Sequence, residues 1–173
     1  EVSLSLALHV SEQQQVDMAA EGKSIAVRPS YEILKTLVNE HGREGKKNGK
    51  GFYDYPGDGN KHLWPELINL YPPQSEQPSQ QDLVDRLMFI QANESARCYE
   101  ENVVRSVADT NIGSIFGWGF APQHGGTLQF INAMGVDEFV KRSRELAAKY
   151  GERFEPAQIL LDMAAKGEAF SDD

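Results

Sequence analysis

Cysteine is almost absent from this sequence, which holds only Cys98 among its 173 residues. A single thiol excludes an intrachain disulfide framework and fits a reducing compartment. Long apolar runs are also missing, since no stretch approaches the roughly 18 residues that a membrane-spanning helix needs. The composition therefore predicts a globular protein without a membrane span.

Positive charge is scarce as well, because 17 lysines and arginines face 26 aspartates and glutamates for a net charge of −9. Nucleic-acid phosphates favour a basic surface, so a nucleic-acid-binding role is disfavoured. One local exception is the basic segment, a run containing Arg43, Lys46, Lys47 and Lys50. Its lysines are not followed by Ser or Thr at the position that a phosphate-binding Walker loop requires. Two interpretations stay open: a site for a phosphate-rich ligand such as coenzyme A, or a solvated surface turn.

The motifs of cofactor and metal sites are missing too. No G-x-G-x-x-G fingerprint lies between a strand and a helix, and Gly113, Gly117 and Gly119 have the wrong spacing for one. His41 and His62 have no cysteine or carboxylate cluster at metal-ligand spacing. Asp54, Asp58 and Glu66 belong to a polar turn and are expected to be solvated. The sequence thus predicts no cofactor site and no metal site in this chain.

The first part of the chain reads as two helices and an aromatic flap. Glutamine content and length favour a helix from Ser3 to about Ala20, although Val2 to Val10 alternate as a strand would. A second amphipathic helix is predicted from Ser30 to about Gly42. Aromatic residues on both sides of a Pro/Gly/Asp turn predict a small β-hairpin or an extended flap over residues 51–64.

A proline-rich linker and a long helix come next. Residues 71–80 contain three prolines, which bar regular structure. Ser79 and Asp82 then resemble a capping box that opens a helix. Within it Leu83, Leu87 and Ile90 recur at three-to-four spacing, as in an amphipathic helix.

The remainder of the chain begins with a glycine-rich segment. Residues 111–126 hold five glycines together with Phe116, Trp118 and Phe120, and they predict a loop of demanding shape. His124 in this loop either contacts the start of the next helix or faces a ligand. Three helices are predicted beyond it, at 127–134, 137–150 and 156–166, with glycines as stops.

These landmarks resemble one known family. The segments Gly45–Tyr55, Asp85–Leu87, Gly113–Gly126 and Gly135–Asp137 occur in the order found in the C-terminal helical region of the 3-hydroxyacyl-CoA dehydrogenases. The resemblance is greatest to the multifunctional fatty-acid β-oxidation proteins. It implies an all-α fold of two tandem helical units with a small flap between them. Residues 1–70 would end the first unit, 71–80 would link the units, and 81–173 would form the second.

The resemblance also implies an activity for the complete enzyme, the NAD-dependent oxidation of a 3-hydroxyacyl-CoA to a 3-ketoacyl-CoA. A Rossmann domain would bind the NAD, a histidine oriented by a glutamate would act as base, and an asparagine would hold the substrate. None of these has a match here: Asp85 precedes Arg86 where the first unit carries asparagine before arginine. The chain alone is therefore predicted to have no catalytic residue and no turnover. The implied partners are acyl-CoA, the protein's own Rossmann domain and a thiolase subunit.

One residue keeps a predicted contact with substrate. In the bacterial multifunctional relatives a tyrosine that touches acyl-CoA stands where this chain has Phe116. Phe116 would retain the apolar contact without the hydroxyl, or it would belong to the core. The chain starts at Glu1 inside a helical pattern, so a preceding segment is expected. No peroxisomal tripeptide follows Phe170, which favours a bacterial cytoplasm. The alternative function is a stand-alone helical module that binds a partner or acyl-CoA without catalysis.

Overall fold

The computed structural model describes residues 3–57 and 59–172 of the chain. It divides into two compact units, Glu1–Ser75 and Glu76–Asp173. The described residues are mostly helical, with one two-stranded antiparallel sheet, so the predicted all-α class with a small hairpin is confirmed at that level. No helix among the described residues is long and apolar enough to cross a bilayer.

The first unit contains three α-helices and the hairpin. Its elements are α1 (Leu4–Ala20), α2 (Pro29–Lys35) continued by a π-helical turn (Thr36–Glu40), a 3-10 turn (Lys46–Asn48), β1 (Tyr53–Asp54), β2 (His62–Leu63) and α3 (Leu67–Leu70). The Ser3 hydroxyl accepts a hydrogen bond from the Leu6 amide at 3.2 Å and so caps α1. The strands pair Tyr53 with Leu63 and form a hairpin within the predicted range of residues 51–64.

The interior of the first unit is small. Leu8 and Leu37 are the buried hydrophobic side chains among its described residues, and Arg43 is buried beside them with 4% of its surface exposed. The α1 residues Leu6 and Val10 are more than half exposed. This unit therefore depends on polar contacts as well as on apolar packing.

The second unit is a helical array with a well-formed core. Its elements are α4 (Gln80–Glu100), α5 (Val107–Trp118), a 3-10 turn (Pro122–His124), α6 (Thr127–Met134), α7 (Val136–Tyr150), a 3-10 turn (Glu152–Phe154) and α8 (Gln158–Lys166). At the centre the rings of Phe89 and Phe139 are stacked with centroids 4.3 Å apart. Phe130 meets both rings edge-on. Such aromatic contacts stabilise the packing of α4, α6 and α7 beyond simple burial.

The prediction of a loop from residue 111 is wrong for its first half, because α5 runs to Trp118. Gly113 and Gly117 lie inside this helix, and the backbone turns to positive φ only at Gly119. Side-chain capping of the α5 N-terminus and tertiary packing outweigh the helix cost of two glycines, about 1 kcal/mol each. The third predicted helix also begins later than expected, at Gln158 instead of Pro156.

The buried face of α4 also differs from the apolar pattern in its sequence. Leu83, Leu87 and Ile90 are 47%, 67% and 37% exposed. The face turned to the core carries the buried side chains Asp82, Asp85, Phe89, Ala92, Asn93 and Ala96. Two of these are acidic, and they can be buried because α7 supplies cationic partners.

Candidate functional site

The N-terminus of α5 is closed by side chains. The Ser106 hydroxyl accepts from the Asp109 amide at 3.0 Å. The carboxylate of Asp172, from the far end of the chain, accepts from the amides of Val107 and Ala108. A carboxylate at this position satisfies amides that have no helical partner and also complements the helix dipole.

The N-terminus of α6 is closed in the same manner. Asn111 Oδ1 accepts from the amides of Leu128 and Gln129 at 2.9 and 3.0 Å. Ser114 Oγ accepts from the Thr127 amide at 3.2 Å. A nicotinamide dinucleotide needs open amides at a helix N-terminus for its pyrophosphate. The amides at these two helix starts already donate to side chains, so the helix starts do not fit that cofactor.

Gly126 makes this arrangement possible. Its φ is +111°, and a Cβ placed on it would lie 2.5 Å from both Cα and Cβ of Asn111. The close approach brings Asn111 within reach of the first amides of α6. The glycine-rich segment thus has the demanding geometry that its composition predicted, concentrated at Gly126.

Phe116 lies on the outer face of α5 with 86% of its surface exposed. Ile112, one turn earlier on the same face, is 57% exposed. Gly113 and Gly117, which follow Ile112 and Phe116 in the chain, have no atom within 4 Å of the position that a Cβ would occupy. Phe116 therefore lies outside the core of the second unit as described. Its ring belongs to an open apolar surface, which we call the α5 surface (Ile112, Gly113, Phe116 and Gly117).

The other candidates from the sequence have structural contacts. Arg43 donates to the carbonyls of Gly51 and Tyr53 and pairs with Asp54, so it is not open to a ligand phosphate. Its guanidinium also lies 4.2 Å from the centroid of the Trp64 ring. Solvation of Asp54 was therefore a wrong expectation, because the ion pair holds it. Asp58 lies outside the described residues.

The remaining lysines of the basic segment are exposed, whereas His124 packs against a helix. Lys46, Lys47 and Lys50 are exposed around the 3-10 turn, as in a solvated surface turn. The ring of His124 packs edge-on against Phe130 of α6, with centroids 5.2 Å apart. His124 thus contacts the helix that follows it in the chain. No group of three or more potential metal-ligating side chains occurs within residues 3–57 and 59–172.

A charged cluster between α4 and α7 was not anticipated from the sequence. Asp82 accepts from Arg142, Lys149 and Tyr150 at 2.7, 2.5 and 2.6 Å. Asp85 accepts from Arg142 Nε at 2.7 Å and from a glutamine of its own helix. The sequence does contain a signal for this cluster. Two acidic residues lie three apart on α4, and the donors on α7 lie seven and eight residues apart, which places each set on one helix face.

The electrostatics of this cluster indicate a structural role, in which its ion pairs hold α4 against α7. Hydrogen bonds from Lys149, Tyr150 and Arg142 hold the pKa of Asp82 well below its usual range. The same contacts raise the pKa values of Arg142 and Lys149. At neutral pH the group is fully ionised, so Asp82 has no proton to donate as a general acid.

One buried amide completes the interior of the second unit. Asn93 is fully buried and donates weakly to Ser143 Oγ and to the Phe154 carbonyl, at 3.4 and 3.3 Å. Its Oδ1 atom has no hydrogen-bond partner among the described residues. The amide joins α4 to α7 and to the following 3-10 turn. When the chain is compared with models of known protein families, no family model matches it.

Proposed function

We propose that this chain is the non-catalytic helical portion of a 3-hydroxyacyl-CoA dehydrogenase of fatty-acid β-oxidation. In this role it would help to form the acyl-CoA cleft and would supply helix packing within one polypeptide. NAD would be bound by a separate Rossmann domain of the same protein, and a thiolase subunit would be a further partner. The proposed location is a bacterial cytoplasm.

The observation that carries this proposal is the exposure of Phe116. Burying a phenylalanine side chain is worth roughly 1.5–3 kcal/mol, and at 86% exposure most of that stabilisation is unused in the chain itself. An acyl or pantetheine chain enclosed between the α5 surface and the opposite wall of the proposed cleft would use it. A ring without a hydroxyl provides only apolar contact, so Phe116 would contribute to binding and not to proton transfer.

The proposed non-catalytic role of this chain gives the first prediction. We expect the 173-residue chain, mixed with NAD and 3-hydroxybutyryl-CoA, to produce no NADH in a spectrophotometric assay at 340 nm. The physical reason is that the reaction needs bound NAD, whereas the amides at the N-termini of α5 and α6 that could hold its pyrophosphate already bond to side chains. NADH formation that scales with the concentration of this chain would contradict the proposed non-catalytic role.

The second prediction concerns the substrate contact. In the natural full-length protein, Phe116→Ala should raise KM for a long-chain 3-hydroxyacyl-CoA about threefold or more and leave kcat nearly unchanged. An apolar contact made equally in ground state and transition state affects KM alone. Val103→Ala is the matched control, because Val103 is 69% exposed and lies outside the α5 surface. An unchanged KM in Phe116→Ala would remove the proposed contact.

A second candidate is a helical interaction module without any dehydrogenase activity. The exposed α4 side chains Leu83, Leu87 and Ile90 favour it, because a contiguous apolar surface commonly marks a protein contact. The coding sequence before Glu1 separates the candidates. A glycine fingerprint with the histidine and glutamate motif upstream supports the dehydrogenase, and a start codon close to Glu1 supports the module.

A further inference from the structure

The α4 helix and the following 3-10 turn form an open groove in the second unit. We call it the α4 groove, and it is lined by Leu83, Arg86, Leu87, Ile90, Arg153 and Phe154. Its floor is the leucine and isoleucine stripe of α4, spaced four and three residues apart. This spacing is the ridge that one helix presents to another in helix packing.

Two cations border this apolar floor. The Arg86 guanidinium lies 4.5 Å from the centroid of the Tyr150 ring, and the Arg153 guanidinium lies 5.0 Å from that of Phe154. Neither arginine has a carboxylate within ion-pair distance among the described residues. Arg142, on α7, has three. Arg86 and Arg153 are thus oriented by aromatic rings and are not held in an ion pair, in a chain whose net charge is −9.

We propose that the α4 groove binds an acidic amphipathic helix of a partner protein. The apolar side of that helix would pack on Leu83, Leu87 and Ile90, and its glutamates or aspartates would pair with Arg86 and Arg153. Apolar anchors give such a contact its affinity, and the flanking charges select an acidic partner and orient it. The inference does not rest on acyl-CoA chemistry.

The exposure of the floor argues against a small anionic lipid as the occupant. Sites for small ligands enclose most of the ligand surface. Here Leu87 is 67% exposed and Leu83 is 47% exposed, so the floor is too open to enclose a single acyl chain. A helix covers a surface of this shape without needing a second wall.

The position of the charges argues against a second copy of the chain. A two-fold interface places the same patch on itself. Arg86 borders the Leu83–Ile90 stripe near the middle of its length, so a two-fold axis through the centre of the stripe would bring two copies of Arg86 together on the same flank. Like charges at such short range are unfavourable, whereas an acidic partner neutralises them.

The test measures the anisotropy of a fluorescein-labelled model peptide titrated with the full chain. The peptide is about 18 residues long, which exceeds the length at which isolated helices are marginal. It carries leucines on one face and glutamates on both borders of that face. A control peptide has every glutamate replaced by lysine.

The expected results are specific to the groove. Leu87→Ser should weaken binding of the acidic peptide about tenfold, and Arg153→Gln about threefold. Val103→Ser and Lys166→Gln, which change an exposed apolar residue and an exposed cation elsewhere in the second unit, should leave binding within about twofold. Raising the salt concentration should weaken binding less in Arg153→Gln than in the unmodified chain. Leu87 and Arg153 are exposed, so circular dichroism should show both variants folded.

Three outcomes would overturn the proposal. The lysine peptide could bind as tightly as the glutamate peptide, which would remove the charge selection. The chain could form a dimer in light scattering that Leu87→Ser dissociates, which would make a second copy the occupant. Dodecanoate could bind in a Leu87-dependent manner while the acidic peptide does not bind, which would make the groove a lipid site.

Discussion

Gly126→Ala is expected to destabilise the second unit by about 4 kcal/mol, a large part of the roughly 5–15 kcal/mol that stabilises a typical domain. The new Cβ would lie 2.5 Å from Cα and Cβ of Asn111 and 2.6 Å from its Oδ1 atom. The backbone at φ +111° is itself costly for any residue with a side chain. Any relaxation must move Asn111 away from the Leu128 and Gln129 amides, so the cap of α6 is lost as well.

Urea unfolding followed by the fluorescence of Trp118 measures this effect. Trp64, the other tryptophan, lies in the first unit and is replaced by phenylalanine in all variants, so the signal reports the second unit alone. Gly113→Ala is the matched control, since Gly113 is helical and no atom lies within 4 Å of its would-be Cβ. It should stabilise by about 0.5–1 kcal/mol. Equal midpoints for the two variants would disprove the close-approach role of Gly126.

Local sequence signals predicted the elements that local interactions decide. Ser79 before Asp82 correctly marked the start of α4, because the Ser79 hydroxyl does accept from the Asp82 amide. The Pro/Gly/Asp turn correctly placed the hairpin between Tyr53 and Leu63. Capping and turn chemistry act over a few residues, so a single sequence displays them.

The elements that the sequence did not reveal depend on distant residues. The start of α5 is completed by Asp172, which is 65 residues away from Val107. The glycine content of residues 111–126 predicted a loop in place of the second half of α5. Ser106 and Asp109 nevertheless form a local cap that could have indicated the helix. Tertiary contacts overrode propensity at this point.

The candidate site shows the same limit. Phe116 is exposed because the opposite face of α5 packs on the rest of the unit. The hydrophobic periodicity of a 12-residue helix with two glycines does not determine which face is buried. On α4, the strongest apolar periodicity belongs to the exposed side. The buried side contains Asp82 and Asp85, which only their partners on α7 make compatible with burial.

Arg142→Met is expected to lower the unfolding free energy at pH 7 by about 2 kcal/mol, because it removes a donor from both buried carboxylates at once. Asp82 would keep Lys149 and Tyr150, but Asp85 would lose its cation. Methionine retains most of the apolar stem of arginine, so the lost packing is small. Arg144→Met is the control, because Arg144 is an exposed neighbour on the same helix.

The pH dependence of the same variant separates a charge effect from a packing effect. The pKa of Asp82 is depressed in the folded chain, so its stabilising contribution is present above the unfolded value of about 4 and is lost as pH falls below it. Without Arg142 that pKa moves towards its usual range, and the acid limb of the stability curve becomes shallower. The stabilities of the unmodified chain and Arg142→Met should therefore converge between pH 4 and pH 2, as measured by urea unfolding at about half-unit steps. A gap that stays constant down to pH 2 would mean that Arg142 stabilises α4 against α7 through packing and not through its ion pairs.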